Sequence, residues 1–117
     1  MEDYAEKLNA IKQTYPFERM RQYWKQEEGG AEECTALERL FDQLIVNLIA
    51  SGPSASEAEK IALFETAIEG SNEYSGVIET GEREDLCELT NTITLVCGLN
   101  PTEYGEGEGL ASEWRDW

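Results

Sequence analysis

The stretch "AEECTALERLFDQLIVNLIASGP", residues 31–53, constrains the fold of this chain more than any other. Leu37, Leu40, Phe41, Leu44, Ile45, Leu48 and Ile49 follow one another at alternating steps of three and one. On a helix of 3.6 residues per turn these positions fall on one wide apolar stripe. On a strand the adjacent pairs would point to opposite faces, so the pattern has no economical β reading. A stripe this wide predicts a central, mostly buried helix near 33–50, with other helices packed around it. Gly52–Pro53 ends it.

The flanking segments supply those helices. Tyr4, Leu8, Ile11 and Tyr15 recur at steps of four, three and four, and Pro16 stops the run. Phe17, Met20, Tyr23 and Trp24 repeat the pattern, which is expected to end at Gly29–Gly30. Ser56 and Glu59 form an S-x-x-E capping box ahead of Ile61, Phe64 and Ile68, with Gly70 as the C′ residue. Tyr74, Val77 and Ile78 suit a short helix or an ordered loop. Thr80 caps a segment in which Leu86, Leu89, Ile93 and Val96 share a face and Gly98 ends the run, although "TNTITLV" also permits a strand. Asn100–Pro101 is a helix-start signal, and one or two turns are expected from Leu110 to Trp114.

No repeat and no long linker interrupts the 117 residues. The expected architecture is all-α: one compact domain, residues 1–117, of five to seven helices. At this length roughly 65% of the unfolded chain's surface can be buried. The 40% hydrophobic content is enough to do so.

The charge is lopsided. The net charge is −16, yet residues 1–30 hold six acids and five bases, while residues 31–117 hold 19 acids and four bases: Arg39, Lys60, Arg83 and Arg115. Such a surface repels nucleic acid and anionic membrane and attracts cations or basic proteins. The longest apolar run, "LIVNLIA", is far short of the ~20 residues of a membrane span. "MEDYAEKLNA" lacks the apolar core of a signal peptide, so a cytoplasmic location is expected. Cys34, Cys87 and Cys97 form no CxxC pair. On a shared helix Cys87 and Cys97 would stand about 15 Å apart, too far to bridge, so free thiols in a reducing compartment are expected.

Catalytic equipment is scarce. The chain has no histidine, which removes Ser–His and Cys–His nucleophile pairs and the commonest zinc ligand. No GxxxxGK[ST] loop is present, and the acids of "GEGEG" would repel phosphate. Counted from Asn100, "NPTEYGEGEG" misses the EF-hand pattern at most positions, with Glu106 at position 7 and Ala111 at position 12. Neither an enzyme nor a cofactor or metal site is expected.

The acids fall in two clusters. Glu79, Glu82, Glu84, Asp85 and Glu88 surround one helix start. First-turn acids complement the helix dipole, which accounts for Glu82, Glu84 and Asp85. Glu88 lies beyond that turn, and Glu84–Glu88 is a like-charge i,i+4 pair costing a few tenths of a kcal/mol. The second cluster, Glu103, Glu106, Glu108, Glu113 and Asp116, brackets Tyr104, Trp114 and Trp117. Acids around aromatic anchors suit an interface with a basic protein. Trp114 is expected to pack in the core beside Leu110. Trp117, the last residue, is expected to fray or to contact something outside the domain. The glycines would let "LASEWRDW" fold back, so that its acids extend the first cluster if the two meet.

The small size, the acidity and the closing stretch "LCELTNTITLVCGLNPTEYGEGEGLASEWRDW" together resemble the bacterial immunity proteins of contact-dependent inhibition and polymorphic toxin systems. The resemblance covers about the last third of the chain, and no active residues carry over. It implies a mode of action: a monomer forms a one-to-one complex with a cognate toxin, a basic nuclease, and fills its substrate cleft with acids. Two other readings fit the same residues. One is a different acidic inhibitor or nucleic-acid mimic, such as a phage-encoded one. The other is an acidic helical adaptor domain.

Overall fold

The computed structural model describes residues 3–25 and 29–117, and within them the chain is all-helical, with no strand. Six α-helices follow in order: α1 (Tyr4–Ala10), α2 (Phe17–Trp24), α3 (Gly30–Ser51), α4 (Glu57–Ser71), α5 (Thr80–Val96) and α6 (Ala111–Trp114). Short 3-10 turns cover Ile11–Thr14, Asn72–Val77, Pro101–Glu103 and Gly105–Gly107.

α3 is the central helix that the stripe demands. Its 22 residues begin after Gly29 at φ 78 and end at Gly52 at φ 83. Leu37, Phe41, Leu44, Ile45 and Leu48 are buried, while Leu40 and Ile49 pack on the edge of the core. α2 and α4 lie along α3, and α1 touches both α3 and α5. One hydrophobic cluster results, joining Leu8, Phe17 and Met20 to Phe64, Ile68, Leu86, Leu89 and Ile93. Phe17 meets Phe41 at 5.7 Å between ring centroids. No described helix is long and apolar enough to cross a membrane.

Several local expectations change. The second expected helix, taken to run to Gly29–Gly30, ends at Trp24, and residues 26–28 lie outside the described residues. Gly70 is not a C′ residue, because α4 runs through it to Ser71 and on into the turn at Asn72. Its missing side chain instead admits Leu40, whose Cδ2 would lie 3.1 Å from an added Cβ. Thr80 is the first residue of α5 rather than its cap. Glu79 is the N-cap, in a reciprocal capping box with Glu82, whose carboxylate accepts from the Glu79 amide at 3.0 Å. Ser56 does accept from the Glu59 amide, at 3.1 Å.

The "TNTITLV" stretch is helix, and its threonine hydroxyls are satisfied within it. The hydroxyls of Thr90, Thr92 and Thr94 each donate to the carbonyl four residues back, at 2.8, 3.0 and 2.7 Å. Thr90 and Thr94 can therefore be buried without an orphaned donor. Cys34, Cys87 and Cys97 are free thiols.

Lys60 plays a part that a charge count hides. It is only 5% exposed, and its ammonium donates to the Cys97 carbonyl at 2.8 Å and the Pro53 carbonyl at 3.0 Å. The cation thus sits at the negative C-terminal end of α5 and ties it to the loop after α3.

Candidate protein-binding face

The acids of α5 separate by partner. Glu79 and Glu82 are occupied in the capping box. Asp85 is held by Arg19 at 2.7 Å. Glu84 and Glu88 are exposed, and their carboxylates have no hydrogen-bond or ion-pair partner among the described residues.

Helical geometry places these two together. α5 buries Leu86, Leu89, Thr90, Ile93 and Thr94. At about 100° per residue, the opposite line carries Glu84, Glu88 and Leu95. Leu95 is 61% exposed, one of three large apolar side chains in solvent with Tyr23 and Val46 among the described residues. Sequence reasoning missed it as a site residue. The signal was present, because Leu95 lies off the Leu86–Leu89–Ile93–Val96 stripe and two turns beyond Glu88.

The C-terminal segment is built to approach α5. Gly105, Gly107 and Gly109 have positive φ, and so does Glu106 at 58°. Gly109 is the position where glycine is indispensable: its φ is +117°, and an added Cβ would lie 2.0 Å from Asn91 Oδ1. That contact lets Asn91 Nδ2 donate to the Glu108 carbonyl at 3.2 Å. Glu113 folds back to accept from the Gly105 amide at 2.6 Å, and Glu108 accepts from the Ser112 hydroxyl at 3.3 Å. Asn91 lies one turn past Glu88. The two acidic clusters therefore meet, with the Asn91–Glu108 bond as their junction.

Trp117 is not where sequence reasoning put it. Trp117 neither frays nor projects. It is 6% exposed, and its indole N–H donates to Ser71 Oγ at 2.9 Å. Asn72 clamps the same segment from both sides, donating to the Trp114 carbonyl at 3.0 Å and accepting from the Asp116 amide at 2.8 Å. Arg115 breaks from α6 into extended backbone, which carries the chain along the end of α4 and drops Trp117 into the core. Trp114 is half-buried against the cluster. Tyr104 donates its hydroxyl to Glu57. The bond to that carboxylate, helped by desolvation, pushes the Tyr104 pKa up to about 12, so it remains a donor through the neutral range.

Bases are few on this side but present: Arg19 pairs with Asp85, and Arg115 lies among Glu106, Glu108 and Glu113. Of the four in residues 31–117, Lys60 is buried, Arg83 and Arg115 are half-buried, and only Arg39, on α3, is exposed. Burial raises the Cys87 thiol pKa, with Arg115 opposing, Glu108 reinforcing and Arg83 opposing. Glu84, Glu88, Glu103, Glu106, Glu108, Glu113 and Asp116 all remain exposed. Among the described residues no three acids or thiols converge on a metal position. Glu84, Glu88 and Leu95 thus share one exposed line of α5, which the C-terminal segment joins at Asn91–Glu108, an arrangement suited to electrostatic steering and to pairing with Arg or Lys. No family model, curated protein or solved structure matches the chain.

Proposed function

We propose that this chain is an inhibitor of the immunity-protein type, which binds a cognate basic nuclease toxin and covers its substrate cleft with the α5–C-terminal face. The observation that carries the reading is the junction of the two acidic segments at Asn91 and Glu108, beside which Glu84 and Glu88 stand exposed. The unpartnered Glu84–Glu88 pair supports it. Like charges at i,i+4 cost a few tenths of a kcal/mol in the free chain, a cost that a cationic partner reverses. Leu95 supplies an apolar anchor amid the carboxylates. In this reading the acids set the association rate and Leu95 sets the lifetime of the complex.

The test is the association rate with the proposed cognate nuclease domain, sought first in the neighbouring reading frame. Between about 0.01 and 0.15 M salt the Debye length shrinks from about 30 to about 8 Å. The association rate is expected to fall by about ten- to a hundredfold over that range, with a smaller change in dissociation rate. A rate indifferent to salt contradicts the electrostatic mechanism.

A further inference from the structure

We propose that the cleft between α5 and the turn into α2 is a guanidinium site, and that Arg19 is its resident stand-in. The cleft encloses about 240 Å³. That is below the ~300–1,000 Å³ of pockets for drug-sized ligands and suits a single side chain.

Its lining is chemically one-sided. Asp85 and Glu88 stand three residues apart on α5, one turn, and both line the cleft. Thr14 and Thr92 line it as well, and both have spent their hydroxyl protons: Thr14 donates to the Ile11 carbonyl at 2.8 Å and Thr92 to the Glu88 carbonyl at 3.0 Å. What these four side chains offer a ligand is acceptors only. The apolar remainder is Pro16 and Leu89, both buried, which suit a flat, weakly hydrated group and an aliphatic stem.

A ligand that matches must bring several donors, no acceptor, positive charge and a planar shape. A guanidinium has five N–H donors in a fork and meets every condition, whereas an ammonium brings three donors on a compact, strongly hydrated centre. Arg19 already shows the fit on one side of the cleft, meeting Asp85 at 2.7 Å while its side chain is 69% exposed. Glu88 remains unmatched. An arginine from a partner would engage Glu88 and displace Arg19 from Asp85. The internal ion pair thus competes with the incoming group.

The site takes its biological meaning from the reading of a basic protein partner, but its test does not need that partner. The ¹⁵N-labelled chain is titrated with N-acetyl-arginine N-methylamide, and separately with the lysine analogue, while backbone amide shifts are followed. The expected result is a saturable shift confined to residues 14–19 and 85–92, with the lysine analogue weaker. Arg19→Ala should tighten binding about two- to fivefold, the range set by losing an exposed competing pair. Glu88→Gln should remove saturation while leaving the Arg19–Asp85 pair in place.

Linear shifts spread over the whole acidic face would overturn the proposal, as would equal binding of the two analogues or an Arg19→Ala chain that binds no tighter. Saturable arginine binding without toxin recognition would keep the cleft and reject the inhibitor reading. Toxin recognition without saturable arginine binding would do the reverse.

Discussion

A Trp117→Ala chain is expected to unfold at a much lower urea concentration than the parent, with a loss of about 3–5 kcal/mol. Domains of this kind have about 5–15 kcal/mol of total stability, so roughly a fifth or more of the margin is at stake. The size of the effect follows from burial: the indole is 6% exposed and joins the same core cluster as Leu110 and Ala111. Its N–H also satisfies Ser71, a fully buried hydroxyl. Trp117→Phe keeps much of the apolar area and loses that bond, so it should cost less than the alanine variant, with about 1 kcal/mol of its loss coming from the bond. Far-UV circular dichroism against urea measures both. An unchanged midpoint for Trp117→Ala would mean that the end of the chain is not docked, and would return Trp117 to the role of a free contact residue.

Reversing Glu84 and Glu88 together to lysine is expected to slow toxin association by at least about tenfold at low salt, while the helical signal stays intact. Both carboxylates are exposed, so their replacement breaks no internal bond among the described residues. Leu95→Ala should leave the association rate nearly unchanged and raise the dissociation rate, because an apolar anchor acts after encounter. Glu32→Lys, an exposed reversal on α3, is the control and should change association far less. Glu82→Lys is informative in the opposite sense. It breaks the α5 capping box, so its loss should appear in stability, at about 1 kcal/mol, before it appears in binding.

What the residues disclose on their own follows from what periodicity encodes. A repeat of apolar positions reports which face of a helix is buried, and so α3 and the inward lines of α1, α4 and α5 could be read before any coordinates. Periodicity says nothing about which side chain on one element meets which on another. The Arg19–Asp85 pair, the Lys60 staple across Pro53 and Cys97, and the Trp117–Ser71 bond all cross between elements, and all three were illegible. Position in the chain misled in the case of Trp117, because being last in sequence places no limit on burial.

The acidic clusters were legible as composition but not as function. Once partners are assigned, Glu79, Glu82 and Asp85 are engaged within the fold, Glu113 and Glu108 shape the C-terminal turns, and Glu84 and Glu88 stand free. Leu95 could have been found earlier, since an apolar residue off its helix's stripe is itself a signal. The strand-permitting threonines of α5 were ambiguous for a physical reason: their preference for β structure is overridden by burial of Leu86, Leu89 and Ile93 on one helical face, and bonds to carbonyls four residues back satisfy their hydroxyls.

The most direct measurement is a titration of this chain against the nucleolytic activity of a cognate basic nuclease domain, the partner proposed for it. Activity is expected to fall linearly to zero at one chain per toxin, and the Glu84→Lys, Glu88→Lys double variant is expected to fail to suppress it at the same ratio. Undiminished activity in the presence of excess chain would contradict the account at its centre.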